Sequence, residues 1–324
     1  MTAHDVAVVV VNHNTASHLA ACLASLEAGG LAGVDAAVWV VDNASTDGSV
    51  DMVRRRFGAV RVIASPTNAG FAAANNLALR AAGFQGRSPE PGVTPGEPPH
   101  PGGDRKGTRA GPTYRHALLL NPDTLIPRGA VARLTAVLDA EPDVGVVGPK
   151  LVLPDGTLDL ACRRAFPTPA VSFYRFSGLA KLFPRSRRFG RYNMTFLDPD
   201  APADVDAVVG ACMLVRGAAL ADVGLLDERF WMYGEDLDWA LRIRQAGWRV
   251  VYRPHVVVRH VKRAASRASP EARYQFQRAM WLFYTKHYAA DTPRWAHRLV
   301  MLGLALKGGP RLVRTMRGDA GGTA

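Results

Sequence analysis

Residues 6–11 read VAVVVV, an almost unbroken β-branched run that stops abruptly at Asn12-His13-Asn14. Apolar side chains on both sides of an extended chain need cover on both faces. The run therefore predicts an interior strand of a parallel sheet. Parallel neighbours need crossover connections, normally helices. Residues 15–30, TASHLAACLASLEAGG, supply one, with helical spacing, a glycine stop, and Thr15 or Ser17 available to cap its start. The theme then recurs. AAVWVVDNASTDGS is strand, acidic turn and helix start; VRVIAS is a third strand; NAGFAAANNLALRAAG is a small-residue helix; HALLLNPDTLI is a fourth strand. This alternation predicts an α/β fold with a mostly parallel central sheet flanked by helices. In such sheets ligands bind beyond the carboxyl ends of the strands. The polar tips Asn12–Asn14, Asp42-Asn43 and Asn121–Asp123 all fall there.

Residues 85–113 break the pattern. Seven Gly and seven Pro fill these 29 positions with almost no large apolar side chain. Such a segment cannot bury enough surface to fix itself, so a flexible surface insertion is expected. Beyond the fourth strand, residues 129–156 predict helix, strand and a Pro-Asp-Gly turn. Residues 162–200 look basic, aromatic and irregular. Residues 204–230 predict a strand and a helix, WRVVYRPHVVVRH a further strand, and residues 272–317 helices. The expected division is an α/β domain over 1–262 and a basic helical extension over 263–324.

The chain has 324 residues and a net charge of +12, and the excess is local. Residues 163–191 hold eight Arg or Lys and residues 294–317 hold six, with no acid in either stretch. An anionic partner is expected there. Both stretches interleave cations with Phe, Tyr, Trp and Leu, which suits an anionic membrane surface or a polyprenyl diphosphate. A solvated surface helix packed on the core is the plainer alternative. No nucleic-acid-binding fold is evident, so nucleic acid is not expected as a partner. The three cysteines, Cys22, Cys162 and Cys212, are odd in number and widely spaced, which argues against a disulfide framework or a zinc site and for a reducing compartment. The N-terminal apolar run is too short for a signal peptide and has no basic leader. No stretch reaches the roughly 18–20 apolar residues that span a bilayer.

Asn121 and Asp123 lie two apart beyond a buried strand. Oxygen ligands so placed can share Mg²⁺ or Mn²⁺, which bridge readily to phosphates. An Asn-Pro-Asp turn capping the next helix is the alternative. Asp42 can accept hydrogen bonds from a base or a ribose, or close an ordinary Asx turn. In FWMYGEDLDWALRIRQAGW three carboxylates crowd among aromatic residues. Asp238 and Arg242 are spaced to pair along a helix. Glu235 and Asp236 suit the first helical turn, where the dipole favours carboxylates. The aromatic neighbours Phe230, Trp231, Met232, Tyr233 and Trp239 equally suit a pocket wall, against which a carboxylate can act as a general base. His260 ends the last strand and is a candidate third metal ligand.

Taken in order, VVVNHN, VVDNASTDGS, NAGFAAANN, LLNPDTLI, GACMLVRGAAL, GLLDERFWMYGEDLDWALRIRQAGW and HVVVRHV resemble the family 2 glycosyltransferases of the GT-A fold, in particular the bacterial rhamnosyltransferase branch. The likeness spans roughly residues 5–262. It implies that Asp42 recognises the nucleotide base, that Asn12 lies along the nucleoside, and that Asn68 and Asn75 lie near the donor. It implies that Asn121-Pro122-Asp123 takes the place of the DxD metal motif, with Asp123 as main ligand to Mg²⁺ or Mn²⁺ and His260 on the same metal. Asp236 of the Glu235-Asp236 pair matches the catalytic base, and Trp231 and Tyr233 can stack on an acceptor sugar. Asn121 replaces the first Asp of DxD, which keeps an oxygen and loses a charge; many members of this branch carry the same NPD.

The resemblance implies an inverting, metal-dependent transferase. Its donor would be a nucleoside diphosphate sugar, with dTDP-L-rhamnose the favoured choice. Its acceptor would be a glycan or a polyprenyl-diphosphate-linked sugar at the cytoplasmic face of the membrane, and a homodimer is among the expectations. A UDP-sugar-dependent hexosyl- or N-acetylhexosaminyltransferase is the competitor within enzymes. A catalytically silent glycan- or nucleotide-binding module is the competitor outside them.

Overall fold

The computed structural model describes residues 4–85, 114–261 and 269–320. Apart from Gln85, the expected insertion at 85–113 lies outside the described residues, as do residues 262–268. The valine run is β1 (His4–Asn12), buried from Val6 onward. On one side of it lie β2 (Ala36–Asn43) and then β3 (Arg61–Ser65); on the other lies β4 (Tyr114–Leu120). All four run parallel. The crossovers are α1 (Ala16–Ser25), α2 (Ser49–Arg56) and α3 (Phe71–Ala81). Neither expected cap serves α1. The Thr15 hydroxyl donates to Asn12 Oδ1, and the first helical N–H, that of Ala16, is taken by Asp47 from the turn after β2 at 2.8 Å. The cap comes from the neighbouring strand end, so it also ties two loops of the site together.

After β4 the chain makes β5 (Thr124–Leu125), α4 (Ala130–Ala140) and β6 (Val144–Val152). The stretch expected to be irregular carries two short helices, α5 (Pro169–Phe176) and α6 (Leu179–Leu182). Thr168 caps α5 and Pro169 opens it, a combination that starts a helix even in a basic, aromatic sequence. Then come β7 (Ala203–Asp204), β8 (Cys212–Arg216), α7 (Gly217–Val223), α8 (Glu235–Gln245) and β9 (Arg249–His260). The sheet order is β3-β2-β1-β4-β8-β6-β9-β5, with β7 on β9. Strand β8 is antiparallel to both neighbours, β4 and β6. Its first residues therefore stand beside the last residues of β4, at the functional end of the sheet. Strand β9 was expected as one continuous strand. Its pairing with β6 jumps from Pro149↔Arg253 to Lys150↔Val257, an irregularity at Pro254, whose missing N–H cannot join a ladder. Beyond the jump, β9 turns its end to β5, and His260 sits opposite Thr124.

The C-terminal helices α9 (Pro270–His287) and α10 (Arg294–Ala320) pack on α8. A second apolar cluster joins Phe230, Leu237 and Ala240 to Phe283, Leu304 and Leu312. Polar contacts reinforce it. The fully buried Asp238 accepts from Arg242 at 2.9 Å, as its spacing predicts, and also from Lys286 at 2.6 Å and His287 at 2.7 Å on α9. Lys286 reaches Asp227 as well, at 2.7 Å. Trp239 is fully buried among core side chains. Removing one partner of a buried ion network strands the others without solvent. Asp238→Ala should destabilise the fold by about 3 kcal/mol in denaturant unfolding. Glu271→Ala, which breaks the exposed pair with Arg311, should be barely measurable.

Candidate active site

Asn12 and Asp42 are directly opposed at the ends of β1 and β2. Asn12 Nδ2 donates to Asp42 Oδ2 at 2.9 Å and to Ser45 Oγ at 3.1 Å; the Ser45 N–H donates to Asp42 Oδ1 at 2.9 Å. This closes the Asx turn allowed by the sequence, and it holds the carboxylate at the strand end. Asn43, next to Asp42, donates to Asn68 Oδ1 at 2.7 Å and accepts from the Ala69 N–H at 3.1 Å. Asn68 is thereby fixed beside the β2 tip. Asn75 is placed differently. It is buried on α3 and donates to Phe71 O of its own helix, while its Oδ1 finds no partner. Its neighbour Asn76 clamps α3 to Leu226 and Glu228.

Gly70 and Phe71 join this region to the aromatic loop before α8. The Phe71 N–H donates to Trp231 O at 2.7 Å. Gly70 has φ +89, and a Cβ there would lie 2.4 Å from Trp231 O and 2.6 Å from its ring, so only glycine fits. Tyr233 in the same loop also has positive φ, +68, uncommon for a bulky residue, and its ring stands edge-on to Phe276 of α9. Trp231 and Tyr233 are both half-buried.

Asn121, Asp123 and His260 converge at the end of β4. The Asn121 N–H donates to Ala211 O, and the Val261 N–H donates to Asp123 O at 2.8 Å. Asp123 Oδ1 lies 3.4 Å from His260 Nε2, and His260 Nδ1 lies 2.9 Å from Asp159 Oδ2. Burial raises the Asp123 carboxyl, but the hydrogen bond and charge of His260 outweigh it and hold the group below the usual carboxylate range. Burial likewise lowers the His260 imidazole, and its two carboxylate partners outweigh that and raise it. The carboxylate suits Mg²⁺ or Mn²⁺, whereas the imidazole nitrogen is a softer donor that the hard Mg²⁺ takes less readily than a transition ion such as Mn²⁺. Among the described residues no group of three or more His, Cys, Asp or Glu could hold a metal ion. A cation held by Asp123 and His260 would need its remaining ligands from phosphate oxygens and water.

The three carboxylates of α8 have three different surroundings. Asp236 Oδ2 accepts from Arg164 at 2.6 Å and from the Gly210 N–H at 3.0 Å; among the described residues Oδ1 accepts only from the Leu237 N–H, at 2.8 Å. Burial works against the Arg164 charge, but Asp236 outweighs it and raises the guanidinium. Among the described residues Glu235 has no ion-pair partner, and its Oε2 finds no hydrogen bond. Burial, followed by the adjacent Asp236 charge, pushes its carboxyl up to about 8. Asp238 is committed to the contacts with α9. Gly210-Ala211 connects the two halves of the site: its N–H binds Asp236 and its C=O binds Asn121. Asp236 and the Asn121–Asp123 turn thus meet at one end of the sheet.

Two residues of this constellation were not legible in the sequence. Asp159 caps the short helical turn Leu160–Cys162 and orients His260. Arg164, buried and paired with Asp236, looks in the sequence like one more cation in a basic stretch. A signal for Asp159 existed: an Asp two residues before a helical N–H is a capping pattern. Nothing in the sequence marked Arg164.

Residues 4–281 match the family described as Glycosyltransferase like family 2. The chain is 29% identical over 264 residues to the N-acetylglucosaminyl-diphospho-decaprenol L-rhamnosyltransferase of Mycobacterium tuberculosis, covering 81% of this chain and 78% of that one. It is 31% identical over 152 residues to the O-antigen biosynthesis protein RfbC of Myxococcus xanthus, 45% of this chain and 10% of that one. Among solved structures, the mannosyltransferase PcManGT from Pyrobaculum calidifontis in complex with GDP-Man and Mn²⁺ has a TM-score of 0.55 at 18% identity, covering 98% of this chain and 80% of that one. GalNAc-T7 with UDP, GalNAc and Mn²⁺ has a TM-score of 0.55 at 15% identity, covering 90% of this chain and 52% of that one. The family match covers most of the chain, and the structural neighbours share its GT-A architecture. The chain belongs to glycosyltransferase family 2 and is a glycosyltransferase of the GT-A fold.

Proposed function

We propose that the protein is an inverting, divalent-metal-dependent transferase that moves L-rhamnose from dTDP-L-rhamnose to a polyprenyl-diphosphate-linked or other cell-surface glycan, at the cytoplasmic face of the membrane. The observation that carries this reading is the Gly210-Ala211 link, which sets a carboxylate and the Asp123–His260 pair at the same end of the sheet. The rhamnosyl donor and the lipid-linked acceptor are supported by the relative from Mycobacterium tuberculosis.

In this reading Asp42, Asn12 and the Asn43–Asn68 pair hold the nucleoside. A divalent cation between Asp123 and His260 would neutralise charge on the leaving diphosphate. Asp159 keeps the His260 ring turned so that Nε2, not Nδ1, faces Asp123. Asp236 takes the proton from the acceptor hydroxyl through Oδ1, the oxygen with a free lone pair, while Arg164 and Gly210 fix Oδ2. Attack from the face opposite the diphosphate inverts the anomeric carbon. A neutral Glu235 spares the base a second anion beside it. Trp231 and Tyr233 contribute acceptor contacts.

The reading is tested with dTDP-L-rhamnose and UDP-sugars, each with Mn²⁺, in thermal-shift titrations, followed by NMR of the product's anomeric configuration. Stabilisation by dTDP-L-rhamnose and an inverted product are expected. Stronger stabilisation by UDP-sugars would move the donor to the UDP class, and stabilisation by nucleotide or glycan with no transfer product would favour a silent binding module. Asp236→Asn should lower turnover roughly a thousandfold with nucleotide affinity little changed; unchanged turnover would remove Asp236 from the base role. Asp159→Asn should weaken Mn²⁺ binding by about 10–100-fold, measured by EPR titration with nucleotide present.

Glu235 also sets a pH dependence. Its carboxyl is raised from 4.5 to about 8 by folding, so the stability linked to its proton is fully present below about pH 4.5 and is lost as pH rises through 8. Glu235→Gln cannot ionise. Between pH 5 and pH 9 the variant should gain on the wild type by roughly 4 kcal/mol in denaturant unfolding. Parallel pH profiles for the two proteins would contradict this.

A further inference from the structure

Helix α10 is apolar on two opposite faces. Val300, Leu304 and Leu312 belong to the cluster shared with α8 and α9. On the other side Trp295, Leu299, Leu302 and Leu306 are 56–76% exposed. Their spacing of four, three and four residues sets all four within an arc of about 60°. A helix apolar all round is normally covered on every side, and no described residue covers this stripe. Gly309, with φ +68, and Pro310 break the helix one turn beyond it.

The stripe has a neighbour. Lys307 Nζ sits 4.4 Å from the ring centroid of Phe176, joining α10 to α5. Phe173 and Phe176 of α5, and Leu182 and Phe183 at α6, are 44–69% exposed. The two basic segments separated in sequence thus touch in the fold, each with exposed apolar side chains beside its cations, and residues 163–191 and 294–317 contain no acid.

We propose that α10, with α5 and α6, is a docking face that lays the protein on an anionic lipid bilayer. The exposed apolar side chains enter the boundary between headgroups and acyl chains, and Arg294, Arg298 and Lys307 meet the phosphates. No helix among the described residues is long and apolar enough to cross a membrane, so α10 lies in the plane of the surface. A second copy of the chain fits poorly, because a two-fold contact through this face would oppose cations with cations. The proposed lipid-linked acceptor gives the face a use, but the binding is argued and tested without it.

The test is co-sedimentation of the full chain, free of sugar substrates, with vesicles of phosphatidylcholine alone or mixed with phosphatidylglycerol. Trp295 fluorescence is followed with brominated lipid, with Trp295→Phe as the control that assigns the signal. Binding to the mixed vesicles, weak binding to phosphatidylcholine, loss at high salt and quenching of Trp295 are expected. Leu299→Glu combined with Leu306→Glu changes only outward side chains and should lower vesicle binding by about tenfold or more with its melting temperature kept. Should that variant unfold, the quenching of the wild-type chain decides alone. Absent quenching, equal binding to neutral vesicles, or full binding by the folded double variant would overturn the proposal. So would a concentration-dependent dimer that the double variant abolishes while vesicles are ignored. None of these readouts depends on sugar transfer, so failure here and failure of the proposed reaction are separable.

Discussion

One dipeptide holds the two halves of the site together. Gly210-Ala211 lies just before β8 and uses one backbone group in each direction, the N–H to Asp236 and the C=O to Asn121. This is available only because β8 runs antiparallel to β4, so that its start lies next to the end of β4. Were β8 parallel, its far end would face Asn121, and α8 would have no backbone donor to set its carboxylate. The antiparallel insertion in a sheet that is otherwise largely parallel is thus what allows the polar ends of β1, β2 and β4 and an acidic helix to share one end of the sheet.

The same local economy explains why three carboxylates can stand within four positions of an apolar segment. Each is managed separately. Asp236 is neutralised by Arg164 and by its place at a helix N-terminus. Asp238 is neutralised by side chains from α9 and its own helix. Glu235, with no cation of its own, is raised toward neutrality by burial. The C-terminal helices therefore contribute to the active-site region directly. Without α9, Asp238 would lose Lys286 and His287, two of its partners, only two residues from Asp236.

Much of the strand-end half of the candidate site was legible from the sequence, because it depends on periodicity. A run such as VAVVVV ending in Asn, or AAVWVV ending in Asp-Asn, specifies a buried strand and its polar tip together. Asn12 and Asp42 are register partners for that reason, with Asn43 and Asn121 each one residue past the last paired position of its strand with β1. The Asp238–Arg242 pair and the core placement of Trp239 follow from helical spacing in the same way. What the sequence hid was long-range. The antiparallel sense of β8, the jump at Pro254, the capping of α1 by Asp47, and the partners Asp159 and Arg164 all depend on segments far apart in the chain. Arg164 shows the reason most plainly: in the sequence it is one cation in a basic stretch, and only folding removes it from water and opposes it to Asp236. Asn75 shows the converse, a residue with the right neighbours in sequence whose amide donates to its own helix.

The central claim is that Asp236 and the Asp123–His260 pair face one bound nucleoside diphosphate sugar. A crystal structure with dTDP and Mn²⁺ tests it most directly. The account predicts the base against Asp42, the diphosphate and the metal at Asp123 and His260 Nε2, and Asp236 Oδ1 open toward the place of the missing sugar. A nucleotide bound away from the ends of β1, β2 and β4, or a metal that leaves Asp123 uncoordinated, would contradict it.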